Sequence, residues 1–199
     1  MAEVTVHVID DDSAMRESLD FLLSIQGFKV LLYPSAVAFL AAIDPAEGDC
    51  ILSDVSMPEM SGLEMMRRLR ENQVRAPVIL MTGQGDIPLA VEAMKAGAAD
   101  FIEKPFSDDL LVDAVRNALK RQNAHPGHEQ TDAQDRLAQL SPRERDVLIG
   151  VVAGKANKVI AYDLGISPRT VEIYRANLMT KARARNLSEL MRIAMAAGL

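Results

Sequence analysis

Over the first 121 residues, short apolar runs rich in β-branched side chains alternate with amphipathic stretches of helical period, which predicts five strand–helix pairs. The strands are expected at Val4–Ile9, Phe28–Leu32, Cys50–Val55, Pro77–Met81 and Asp100–Glu103. Between them Ser13, Ser35, Ser61, Asp86 and Ser107 stand at helix N-cap positions, Ser61 and Glu64 have capping-box spacing, and Gly27 and Gly97 mark helix ends. Such alternation predicts the α/β class: a doubly wound five-stranded parallel sheet in the order 2-1-3-4-5, with ligands bound outside the carboxyl ends of the strands.

The pattern changes after residue 121. Residues 122–136 are polar and broken by Pro126-Gly127, as expected of a linker. From Leu137 onward every apolar stripe has helical period. Ser141-Pro142-Arg143-Glu144 and Ser167-Pro168 read as caps with proline at the first helical position. Four helices are predicted, at about 142–153, 156–164, 168–182 and 187–197, forming a small all-α domain. The domain reading is therefore 1–121, a linker over 122–136, and 137–199.

Charge sharpens this division. The total is −6, but residues 1–124 carry a net −9 and residues 137–199 a net +5. That asymmetry suggests an acidic module tethered to a nucleic-acid binder. The lone Cys50 sits in an apolar run and excludes an intrachain disulfide. The start lacks a basic leader and no apolar run is long enough for a membrane span, so a cytoplasmic protein is expected. The eleven methionines read as adaptable packing, His7 as a strand residue, and the pair His125 and His128 as chance.

The chemistry gathers at predicted strand ends. Asp10-Asp11-Asp12 follow the first strand, Asp54 ends the third, Thr82 the fourth and Lys104 the fifth. Any one of these could be a solvated turn or a cap, but together they crowd one rim. Clustered carboxylates repel one another, and a hard divalent cation, best Mg2+, relieves the repulsion. A carboxylate nucleophile beside a metal, a hydroxyl and an ammonium makes a phosphoryl-transfer site, and position assigns the nucleophile to Asp54.

The segments Val8-Ile9-Asp10-Asp11-Asp12, Ser53-Asp54 through Gly62, Leu80-Met81-Thr82-Gly83 and Asp100-Phe101-Ile102-Glu103-Lys104-Pro105-Phe106 resemble the receiver domains of two-component response regulators. The resemblance implies a flavodoxin-like fold. It also implies Mg2+ on Asp10, Asp11, Asp54 and the main-chain carbonyl of Ser56, phosphorylation of Asp54 by a sensor histidine kinase, and a switch at Thr82 and Phe101. Lys104 would bind the phosphoryl group and precede a cis proline. In this family the receiver assists its own phosphoryl transfer and is otherwise not an enzyme.

Residues Leu140 to Leu148 and Gly154 to Val171 resemble the LuxR-type helix-turn-helix, so the whole chain resembles the NarL/FixJ class and is nearest its FixJ branch. The helix from Pro168 is expected to bury Val171, Leu178 and Ala182. It would turn Thr170, Glu172, Ile173 and Ala176 to base edges of a double-stranded operator, with Lys158, Arg169, Arg175 and Lys181 on phosphates. The family further implies homodimerisation on phosphorylation, pairing through the last helix (Leu187, Leu190, Met191, Ala194 and Met195) and an RNA polymerase partner. Two rival readings are a haloacid-dehalogenase-like phosphatase, which places its nucleophile after the first strand, and a LuxR-type regulator with a small-molecule pocket.

Overall fold

The computed structural model describes residues 4–42, 49–83, 87–122 and 127–199. The expectation placed on Asp86 lies outside the described residues, as does that on the pair of His125 with His128, because His125 is not among them. The chain divides into two compact units, Met1–Gly85 with Ala96–Ala124, and Asp86–Lys95 with His125–Leu199.

In the first unit β1 (Thr5–Ile9), β2 (Lys29–Tyr33), β3 (Cys50–Asp54), β4 (Val78–Thr82) and β5 (Asp100–Glu103) form one parallel sheet in the order β2-β1-β3-β4-β5. The expected order is the observed one, with strand ends differing by a residue or so. β3 and β4 are buried along their whole length, as central parallel strands covered on both faces must be. Helices α1 (Ser13–Ile25), α2 (Ala36–Ala42), α3 (Gly62–Glu71) and α5 (Asp108–Gln122) belong to the same unit. Val6, Val8, Leu52 and Met81 of the sheet meet Leu19 and Leu23 of α1 and Leu111 and Val115 of α5 in one apolar core. Each fully buried aliphatic side chain contributes about 1.5–3 kcal/mol, and this core fixes which strand ends come together.

Local signals behave mostly as their chemistry dictates. Ser35, Ser61 and Ser107 accept from the main-chain N–H three residues on. At α1 the expectation is corrected: Asp12, not Ser13, is the N-cap, its Oδ1 accepting from Ala14 N at 2.9 Å. A carboxylate one residue earlier reaches the first free N–H of the helix and carries charge that suits a helix N-terminus. At α3 the Ser61 half of the capping box forms, while Glu64 pairs with Arg68 at 2.7 Å. His7 is buried in β1 between the Tyr33 hydroxyl at 3.1 Å and Asp49 at 3.2 Å.

The second unit comprises α4 (Ile87–Lys95), α6 (Gly127–Ala138), α7 (Pro142–Val152), α8 (Asn157–Leu164), α9 (Pro168–Ala182) and α10 (Leu187–Ala196). The four helices read from residue 137 onward are α7 to α10. α7 begins with a complete capping box, Ser141 with Glu144, and Pro142 in its first turn. Gly150 lets α7 approach α8 closely, since a Cβ there would lie 2.8 Å from Ile160 Cγ1. Val147, Leu148, Val151, Ile160, Val171, Leu178, Leu190 and Met191 form the core.

The segment 122–136, expected as a linker, has helical structure. Much of it is helix α6, which buries Ala133 and Leu137 and packs on α9 and α10. Two apolar residues four apart make one narrow stripe, enough to dock a helix that is otherwise polar.

Candidate functional site

Parallel registration brings four strand ends to one rim. Ile9 pairs with Ser53, Asp54 with Met81, and Thr82 with Glu103, so the next residue of β1 and of β5 lines up beside Asp54 and Thr82. Asp10, Asp54 and Thr82 are buried there, at 1%, 6% and 1% exposure.

Lys104 joins the carboxylates. Its Nζ donates to Asp10 Oδ2 at 2.8 Å and to Asp54 Oδ1 at 2.5 Å. Burial pulls the Lys104 pKa down, but the hydrogen bonds and charges of Asp10 and Asp54 outweigh it and hold the pKa above the ordinary lysine value. The Lys104-Pro105 bond is cis. The Lys104 N–H donates to the Thr82 carbonyl at 2.7 Å and fixes the start of this side chain's path.

The remaining acceptors are also engaged. Asp12 N donates to Asp10 Oδ1 at 2.9 Å, and Ser56 N donates to Asp54 Oδ2 at 2.6 Å. Arg16 Nη1 donates to the Asp10 carbonyl at 2.6 Å. Gly62 seats α3 directly against β3, because a Cβ there would run into the Asp54 carbonyl oxygen and stand 2.9 Å from Ser53 Oγ.

Asp10 and Asp54 offer only oxygen atoms, the atom type a hard divalent ion binds, and they share one cation, the Lys104 ammonium. Asp11 is exposed beside them, and among the described residues no three carboxylate, imidazole or thiolate groups stand close enough to hold a metal. Ser56 is at the surface and Phe101 is half-buried on β5.

On α9, Ser167 caps the helix by accepting from Thr170 N at 3.0 Å, and its hydroxyl also bonds that of Thr170 at 2.8 Å. Val171, Leu178 and Ala182 are buried, whereas Glu172, Ile173 and Ala176 are exposed, so one face of the helix is free. Lys158 is exposed on α8, and Arg169 is exposed but paired with Glu172 at 2.9 Å.

Two residues expected on phosphates have other partners. Arg175 donates to Asn157 Oδ1 at 2.8 Å, tying α9 to the start of α8, and burial lowers its pKa. Lys181 donates to Glu144 Oε2 at 2.7 Å. The Lys181 ammonium, together with the Ser141 N–H, holds the buried Glu144 carboxyl below the usual carboxylate range. Sequence reasoning missed Arg16, Gly62 and Asn157. Only Gly62 carried a local signal, lying just after the Ser61 cap.

Comparison with known proteins bears on both regions. Residues 6–116 match the response regulator receiver domain, and residues 138–194 match the luxR family of bacterial regulatory proteins. The chain therefore belongs to the response regulators, joining a receiver to a LuxR-type DNA-binding domain. It is similar to the transcriptional regulatory protein FixJ of Bradyrhizobium diazoefficiens, 52% identical over 197 residues that cover 98% of this chain and 96% of that protein. FixJ of Rhizobium meliloti is 48% identical, covering 100% and 98%. A crystal structure of full-length FixJ from B. japonicum covers 98% of this chain and 97% of its own, with a TM-score of 0.56. The class is that of transcription regulators in two-component systems, which pair with a histidine kinase and bind DNA. Among the described residues no helix is long and apolar enough to cross a membrane.

Proposed function

We propose that this response regulator is phosphorylated on Asp54 by its sensor histidine kinase, and that the modified chain dimerises and binds an operator to control transcription in the cytoplasm. The observation that carries the reading is Lys104 Nζ spanning Asp10 and Asp54 at 2.8 and 2.5 Å. A fixed ammonium between a nucleophile and a second carboxylate supplies positive charge where a phosphoryl group develops negative charge.

In the transfer an Asp54 carboxylate oxygen attacks phosphorus, the phosphorus–nitrogen bond of the kinase phosphohistidine breaks, and the imidazole leaves with the bonding pair. Lys104 exchanges its bond to Asp54 for one to a phosphoryl oxygen and keeps its contact with Asp10. Ser56 N–H, at 2.6 Å from Asp54 Oδ2, holds the carboxylate in place. Mg2+ held by Asp10, Asp11, Asp54 and the Ser56 carbonyl would neutralise the phosphoryl oxygens. The Thr82 hydroxyl then turns towards the phosphoryl group and Phe101 turns inward, the pair forming the switch.

On the operator, Glu172, Ile173 and Ala176 meet base edges with Thr170 at the helix start, and Lys158 and Arg169 meet phosphates. Arg175 and Lys181 belong to this interface through the helix they fix. RNA polymerase is the downstream partner.

The test is exposure of the full chain to acetyl phosphate with and without Mg2+, followed by intact mass. One phosphoryl group is expected, only with the metal, and none on Asp54→Asn. Full labelling of Asp54→Asn would refute the assignment.

A further inference from the structure

We infer that Arg16 is an electrostatic positioning residue of the acidic rim: it anchors Asp10 through the main chain while its charge weakens the rim's hold on a divalent cation. The inference rests on the phosphoryl-transfer reading above and deepens it.

Arg16 lies in the first turns of α1, half-buried, with Nη1 at 2.6 Å from the carbonyl oxygen of Asp10. That carbonyl belongs to the residue whose carboxylate already accepts from Asp12 N and Lys104 Nζ. Arg16 thus fixes the backbone from which Asp10 is aimed. Covalent geometry within one residue keeps the Asp10 carboxylate within about 8 Å of the guanidinium charge.

Two cations, Arg16 and Lys104, consequently stand at a rim formed by Asp10, Asp11, Asp12 and Asp54. A divalent ion entering among these carboxylates is repelled by both. Lys104 can shift with the phosphoryl group, because its bond is to the reacting carboxylate itself. Arg16 binds a main-chain oxygen and stays, so its effect on metal affinity persists through the cycle. A guanidinium suits this role, since it keeps its charge at every accessible pH and binds a carbonyl with fixed direction.

A purely structural anchor and an electrostatic one predict opposite signs. If Arg16 served only to brace the turn between β1 and α1, its loss would loosen Asp10 and weaken metal binding. If its charge dominates, its loss strengthens metal binding, and salt erases the gain.

The experiment is calorimetric titration of the unphosphorylated full chain with Mg2+ alone, at low and at high ionic strength. Arg16→Gln and Arg16→Met both remove the charge, the second keeping the alkyl packing, and Arg16→Lys retains it. Both uncharged variants are expected to bind Mg2+ roughly threefold to tenfold more tightly than wild type at low salt, with the difference closing near about 0.5 M salt, while Arg16→Lys stays near wild type. Unchanged or weaker binding by both uncharged variants overturns the inference. A gain that does not respond to salt overturns it equally. A wild-type chain that takes up no Mg2+ overturns the metal reading of the site and this inference with it, a result plainly distinct from a wild type that binds and variants that follow it.

Discussion

Lys104 and Asp54 are fifty positions apart in sequence, and Lys104 and Asp10 are ninety-four apart, yet one ammonium serves both carboxylates. Removing it leaves two buried acids facing each other without a cation. Lys104→Met is expected to destabilise the receiver by about 2–3 kcal/mol, somewhat less than a fully buried pair because the lysine retains some exposure. Mg2+ should return more stability to the variant than to wild type. The pH dependence follows from the raised lysine pKa. A group whose pKa is higher folded than unfolded contributes fully below its unfolded value and loses that contribution as pH rises through the folded one. The gap between wild type and Lys104→Met is therefore flat through neutral pH and narrows only above the ordinary lysine range. Urea unfolding followed by circular dichroism measures this, as the chain has no tryptophan. A gap that narrows at neutral pH would sink the argument. Much of this site was legible at the level of single residues, because strand ends in a parallel sheet are predictable from short apolar runs. Arg16 was not legible: an arginine on an amphipathic helix looks like a solvated charge until its carbonyl partner is seen.

At the scale of elements, α9 is held by polar ties at two points, Arg175 to Asn157 of α8 and Lys181 to Glu144 of α7. The partners lie eighteen and thirty-seven positions apart, so helical periodicity could find the buried face of α9 but not the fate of its basic residues. The same limit explains α6: its polar composition read as a linker, and only packing shows Ala133 and Leu137 docked. The caps of α7 and α9, by contrast, are local chemistry and were fully legible. The Glu144 tie gives a prediction of opposite sign to that of Lys104. Its pKa is depressed in the folded chain, so its stabilisation is present above the ordinary glutamate value and is lost as pH falls through the folded value. Glu144→Gln should cost about 1 kcal/mol at neutral pH, the size of a charge-assisted bond partly open to solvent. That cost should vanish in acid, where denaturation curves of the two proteins converge. Curves that stay parallel down to low pH would mean that the carboxylate's charge is not what matters.

At the scale of the molecule, the chain couples an acidic receiver to a basic effector, and the split from −9 over residues 1–124 to +5 over residues 137–199 was visible before any fold was known. What the charges cannot specify is how one unit instructs the other. The proposed answer is pairing: a phosphoryl group on Asp54 draws in Thr82, changes the receiver's surface and favours a second copy. A paired receiver raises the local concentration of the second DNA-binding domain at its half-site, so the two domains engage a two-fold operator together. The coupling required is modest, since about 1–3 kcal/mol changes affinity roughly fivefold to 150-fold. Phosphorylation is therefore expected to move the full chain from monomer towards dimer in sedimentation and to tighten operator binding over the same range of protein concentration. Thr82→Ala should accept the phosphoryl group at Asp54 yet show neither effect, because the hydroxyl proposed to report the modification is gone. If the labelled wild type remains monomeric while binding its operator more tightly, pairing is not the switch, and the change must pass from receiver to effector within one chain.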